Sequence, residues 1–263
     1  MLGTSSVRAL FRQREMVRNL VRRDLVERYQ RSWLGIALAL FMPLLVTAVF
    51  SLMFSGLMPG RSGTDYALRV FVGYLAWDYC SRALSIASET LRGHGALIGK
   101  VRFPLEVLPL TTCLSVLTQL LLGLLLFVVA NGMFGTGFHA TMLWLPVLVG
   151  LELAFVFGVA LVVAALSVAL QDFAHLLAIL LTVWFYGCAV FFSTEVVPSA
   201  IVRSAFEWNP MYQLILALRT TCIDGRAPDV FGLAYLALCA LAALFVGRWV
   251  FDRYRFALTE ILG

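Results

Sequence analysis

From Trp33 onward, long apolar stretches alternate with short polar connections. A helix that crosses a bilayer needs about 20 consecutive, predominantly apolar residues. Stretches near 33–57, 67–88, 105–130, 143–168, 176–193 and 230–250 fit that requirement, so the pattern predicts six transmembrane helices. Turn-forming residues at Pro59-Gly60, Asn131-Gly132 and Gly135-Thr136-Gly137 fall between them. The section 194–229, between the fifth and sixth stretches, is different. It holds Pro198, Pro210 and a short apolar run from Met211 to Leu218, which is too short to span a bilayer. Such segments are re-entrant or interfacial. No internal repeat is evident.

Residues 1–32 follow another rule. Arg8, Arg12, Arg14, Arg18, Arg22, Arg23, Arg28 and Arg31 alternate with Leu10, Met16, Val17, Leu20, Val21, Leu25 and Val26 at helical spacing. The spacing predicts an amphipathic helix lying in the membrane interface, which we prefer over a solvated basic tail. The expected fold is therefore all-α and integral to the membrane. It has an N-terminal interfacial helix over 1–32, a six-helix domain over 33–250 with a re-entrant external region before the last span, and a tail over 251–263.

Composition agrees. Of 263 residues, 61% are hydrophobic and 13% charged, and mean hydropathy is +0.91. Soluble domains run near 45–50% apolar and about 25% charged. The net charge of +5 does not indicate a nucleic-acid surface, because the basic residues sit between apolar runs and at the N-terminus. With the N-terminus inside, 1–32, Arg92, Lys100, Arg102, Arg248, Arg253 and Arg255 face the cytoplasm. Arg61, Arg69, Arg203, Arg219 and Arg226 face outward, and Arg82 lies within a span. This positive-inside bias places both termini in the cytoplasm. The first apolar run begins too late and is too long for a signal peptide. Cys80, Cys113, Cys188, Cys222 and Cys239 have no paired spacing and read as small packing residues.

No catalytic constellation is visible. His94, His139 and His175 fall in three separate connections, on both sides of the membrane, so they cannot share a metal. The run from Gly95 to Val101 superficially resembles a phosphate-binding loop, but it has one residue too few between its glycines. Val101 also stands where a hydroxyl is needed for Mg²⁺. The chain carries no ATP site, and any energy source lies in another subunit or a gradient. Within the spans, Asp78 and Arg82 are spaced to pair on one helix face. Glu152 and Gln119 lie near mid-span; Glu152 fits either a proton-coupled carrier or a hydrogen bond to a neighbouring helix. Tyr74, Trp77, Tyr79, Trp184, Phe185, Tyr186, Phe191 and Phe192 make two spans aromatic. They fit an interface belt, plain packing, or a lining on which sugar rings stack.

Three stretches carry a resemblance. Arg23-Asp24-Leu25 through Arg28-Tyr29-Gln30-Arg31-Ser32-Trp33-Leu34-Gly35, followed by Pro43, resembles the approach to the first span of type-2 ABC exporter permeases. Within that class it is most similar to the polysaccharide and O-antigen export permeases. Leu97-Ile98-Gly99-Lys100-Val101-Arg102-Phe103-Pro104, then Leu108-Pro109-Leu110, resembles that family's cytoplasmic loop and third span. Trp208-Asn209-Pro210-Met211, continuing to Ala217-Leu218-Arg219, resembles its external re-entrant region. Gly99 is a departure, since the family often has a second basic residue there.

The resemblance implies a half-transporter in a bacterial inner membrane. Two permeases pair with two copies of a separate ATPase subunit that binds ATP and Mg²⁺, and a lipid-linked glycan passes between the permeases. It implies that 89–104 is the coupling loop, with Leu97, Ile98, Lys100 and Phe103 toward the ATPase. It implies an external gate over 194–222, with Asn209, Pro210 and Arg219 as candidates, and a conduit for which Tyr74, Trp77, Tyr79, Trp184 and Tyr186 are candidate lining. Arg28, Arg31, Lys100 and Arg102 fit capture of a lipid pyrophosphate headgroup or anchoring to anionic membrane lipids. The expected cargo is an O-antigen-like polysaccharide. Capsular polysaccharide, teichoic acid, and small lipids or drugs are the rivals within the class. A membrane enzyme acting on lipid-linked sugars is the rival outside it, disfavoured because no acidic or histidine cluster meets at one membrane face.

Overall fold

A computed structural model of the chain describes residues 14–29, 33–54, 63–93, 104–170, 172–192, 194 and 199–262. Leu97, Ile98, Lys100, Arg102 and Phe103 of the expected coupling loop lie outside the described residues, as do Arg31 and the Pro59-Gly60 turn. Every described element is helical: α1 (Arg14–Tyr29), α2 (Trp33–Phe54), α3 (Gly63–Gly93), α4 (Val107–Phe134), a 3₁₀ turn (Ala140–Trp144) leading into α5 (Leu145–Ala169), α6 (Phe173–Tyr186), α7 (Ala200–Glu207), α8 (Pro210–Cys222) and α9 (Val230–Leu262). Arg28 falls within α1. On that helix Arg18, Arg22 and Arg23 are exposed while Leu20, Val21 and Val26 are partly covered, as an amphipathic helix requires.

Among the described residues, three helices are long and apolar enough to cross a membrane: Val107–Phe134, Ala140–Ala169 and Val230–Tyr254. Helix α3 has the length, with 31 residues, but carries charged side chains along it. Helix α6 has 14 residues, about 21 Å at 1.5 Å per residue, which falls short of a hydrocarbon core of about 30 Å. The apolar run predicts a helix over 176–193. The helix occupies 173–186, and the chain turns at Gly187 although the sequence stays apolar. The Asn131-Gly132 turn is also corrected. Both residues lie inside α4, which ends at Phe134. The turn falls instead at Gly135–Gly137, where Gly137 takes a φ of +90°. Asn131 is fully buried, and its Nδ2 donates to the Gly137 carbonyl at 2.7 Å and the Cys222 carbonyl at 3.1 Å. That tertiary role makes the asparagine a tether within a helix.

Helix α3 is the hub, packing against α2, α4, α5, α6 and α8. Ala76, Cys80, Ala83 and Ala87 are all fully buried and recur every three or four residues. The small stripe lets neighbouring helices approach closely, the usual device of helix association in lipid. Helices α5 and α9 form another close pair. A methyl group at Gly158 would overlap the backbone of Ala243 and Leu244, and one at Gly247 would overlap the Gly158 carbonyl. The outer faces of α6 and α9 expose Ile179, Val183, Leu238, Leu241 and Phe245. A bilayer accommodates such faces where water would not.

Candidate functional site

Side-chain hydrogen bonds from α3 and α8 converge where α6 stops. The carbonyls of Val183 and Phe185 at its end accept amides of the turn itself, but those of Gly187, Ala189, Val190 and Phe191 have no helical partner, and in a membrane each such group must be satisfied within the protein. Side chains from α3 and α8 do this. Asn209 is the N-cap of α8: its Oδ1 accepts the Met211 amide at 3.0 Å and the Trp184 indole N–H at 3.1 Å. Its Nδ2 donates to the Gly187 carbonyl at 2.7 Å. Pro210 follows at the first helical position, where its missing N–H costs nothing. One cap residue therefore joins the start of α8 to the end of α6.

Arg219, nearly three turns further along α8, is 9% exposed. Its Nη1 donates to the Ala189 carbonyl at 3.2 Å, its Nη2 to the Val190 carbonyl, and its Nε to the Arg69 carbonyl of α3 at 3.1 Å. Ala189 has a φ of +49°, a left-handed conformation unfavourable for a residue with a side chain. The guanidinium fork fastens the strained turn to α3. Gly73 makes room for it, since a Cβ there would sit 3.0 Å from Arg219 Nη2 and 3.1 Å from Ile215 Cγ2. Tyr66 adds a hydrogen bond to the Phe191 carbonyl at 2.8 Å, and Tyr212 pairs with Thr194 at 2.8 Å. Arg69 itself is held by Asp65 and Asp224. Of these residues, Asn209, Pro210 and Arg219 were legible as a motif. Tyr66 and Gly73 were not, because they come from α3, far along the chain and with no local signature, and the pairing of Tyr212 with Thr194 leaves none either.

The aromatic candidates divide. Trp77 and Tyr79 are core residues, 6% and 2% exposed. Trp77 packs edge-on against Trp184 with ring centroids 5.7 Å apart and against Phe185 at 5.5 Å. Tyr79 donates to the Cys113 carbonyl at 3.4 Å. A residue on α3 is enclosed on nearly every side, which is why these two rings lie inward. Tyr74 and Trp184 are half-buried, and Tyr186 is 68% exposed at the end of α6. Asp78 and Arg82 form the expected pair, at 2.7 Å. Glu152 is 1% exposed. Its Oε1 has no hydrogen-bond partner among the described residues.

The chain is similar to known proteins over most of its length. Residues 15–223 match the family described as ABC-2 type transporter. The chain is 28% identical over 250 residues to the O-antigen export system permease protein RfbA of Myxococcus xanthus, covering 95% of this chain and 96% of that one. Two O-antigen export system permease proteins RfbA of Klebsiella pneumoniae are 21% and 20% identical, each covering 92% of this chain and 93% of its own length.

Proposed function

The chain belongs to the ABC-2 type transporter family, and we propose that it is the membrane permease of an ATP-driven exporter that carries a lipid-linked, O-antigen-like polysaccharide across a bacterial inner membrane. The observation that carries this reading is end-to-end similarity to O-antigen export permeases, with alignments over 92–95% of the chain. Two copies work with two ATPase subunits, which bind ATP and Mg²⁺, and the glycan passes between the copies. Both termini face the cytoplasm. Helices α2 and α3 complete the set of spans, together with α6 continued by its turn, and 194–222 is re-entrant from the outside.

Within that arrangement the α6–α8 elbow is the external gate, with Asn209, Pro210 and Arg219 holding its shape. The well-satisfied polar contacts of the elbow support this, since they let a bent backbone persist at membrane depth. Tyr74, Trp184 and Tyr186 are the aromatic rings that would meet a passing sugar, with Trp77 packed against Trp184. Arg28, Arg31, Lys100 and Arg102 meet the phosphate-bearing headgroup at the cytoplasmic surface, and Leu97, Ile98, Lys100 and Phe103 meet the ATPase.

Expression of the permease with its ATPase in a bacterium lacking its own O-antigen export permease tests the reading. Surface glycan should return, detected by immunoblot of lipopolysaccharide, and should be lost when the ATPase is catalytically dead. Intracellular accumulation of the lipid-linked glycan despite both subunits would reject the substrate.

A further inference from the structure

A second hydrophobic core, separate from the main one, lies at the end of the molecule where α3 and α5 stop and α4 begins. Leu91 of α3, Leu105 and Leu108 at the start of α4, Leu161, Ala164, Ala165 and Val168 of α5, and Phe251 of α9 form it. Phe251 is fully buried. Four helices are therefore packed into one base unit.

Next to this core is an ion pair between distant parts of the chain. Arg248 Nη1 of α9 meets Glu106 Oε1 at 2.6 Å, and Arg248 Nε meets Asp252 Oδ2 at 2.8 Å. Glu106 is 5% exposed and occupies the N-cap position of α4. A carboxylate there would ordinarily accept the helix's own free N–H groups. It makes no such bond and reaches across to α9 instead. The Arg248 side chain is 33% exposed and that of Glu106 6%, and such a half-buried ion pair adds little net stability, because desolvation and solvent screening offset the attraction; its better-attested use is to specify one placement of its two elements. The chain before the undescribed 94–103 segment is fastened too. Arg92 Nη2 donates to the Leu170 carbonyl at the end of α5 at 3.2 Å, and Thr90 pairs with Thr112 of α4 at 3.0 Å.

We infer that Glu106 and Arg248 are positioning residues for energy coupling: their ion pair locks the first turn of α4 to α9, so that a push on the connection between α3 and α4 moves α9 with it. This rests on the proposed export function, in which that connection meets the ATPase. Neither residue touches cargo or nucleotide. They act through the position of α9, which is itself closely packed along α5.

The test uses the full permease with its ATPase in proteoliposomes loaded with lipid-linked glycan. ATP turnover, glycan flux and the ATP-dependent reactivity of a cysteine at the exposed position Arg253, at the charged end of α9, are measured together. Glu106→Gln and Arg248→Gln should keep ATP turnover but export about three- to tenfold less glycan per ATP, with the Arg253→Cys reactivity no longer responding to ATP. The double Gln variant should be no worse than Arg248→Gln alone, since the link to Glu106 is already gone there. Arg248→Lys, which keeps the charge, should retain most of the coupling and covers the case in which a Gln variant does not assemble. An assembled Gln variant with wild-type glycan per ATP and a wild-type Arg253→Cys response would overturn the inference, as would Arg248→Lys behaving no better than Arg248→Gln. A wild-type complex whose α9 responds to ATP without moving this glycan would instead reject the cargo, leaving the Glu106–Arg248 comparison to be read from the cysteine.

Discussion

Arg219 shows how one side chain can hold a bend in a membrane. Its planar fork serves two carbonyls of the turn after α6 and one of α3 at once. Lysine carries the same charge but lacks the fixed fork, so it cannot make these bonds in one geometry. Arg219→Lys is therefore expected to lower stability by about 1–3 kcal/mol, the cost of leaving buried carbonyls unsatisfied. Arg219→Gln should cost at least as much. Thermal unfolding of the purified permease in detergent would show the loss as a reduced Tm, and proteolysis should cut first in the turn beyond Gly187. An unchanged Tm for both variants would mean the guanidinium is not what holds the elbow. The family motif pointed to Arg219; that its partners are Arg69, Ala189 and Val190 could not be read from it, because backbone carbonyls leave no mark in a sequence.

At the scale of helices, the chain uses close approach rather than bulk. Apolar side chains gain nothing by leaving lipid for protein, so association depends on shape and small residues. The α5–α9 contact at Gly158 and Gly247 is the sharpest case. Gly247→Ala places a methyl on the Gly158 carbonyl and should separate the pair, costing about 1–3 kcal/mol by overpacking. Gly150→Ala is the control, since nothing lies within 4 Å of a Cβ there. Folded yield and Tm should fall for the first and hold for the second. Equal behaviour of the two would show that the glycine contact is not limiting. The short α6 belongs to this scale as well. Hydropathy carries the apolar run through to Phe192, but the helix stops at Tyr186 because Asn209 and Arg219, brought in by α8, satisfy the turn that follows.

For the whole molecule, the arginine distribution predicts which ends face the cytoplasm, and the cysteines make this measurable. Cys80, Cys113, Cys188 and Cys222 are buried and Cys239 is partly so, so the labelling background should be low. Cysteines introduced as Ser6→Cys and Arg226→Cys should label from opposite sides of the membrane with an impermeant maleimide. Arg226→Cys should react in intact spheroplasts and Ser6→Cys only after permeabilisation. The reverse pattern would invert the proposed topology and place the α6–α8 elbow inside.

The sequence alone determined that the chain is helical and membrane-embedded, that its N-terminal helix is amphipathic, and to which family it belongs. These follow from local properties: run length, periodicity and motif order. Only the tertiary structure decided where α6 ends, that Asn131 is a tether within α4 and not a turn, that Trp77 and Tyr79 point into the core, and that Glu106 reaches Arg248. Each depends on which distant polar group or helix face arrives beside a residue. Hydropathy records how much a residue avoids water, but not which neighbour will satisfy its backbone or its charge.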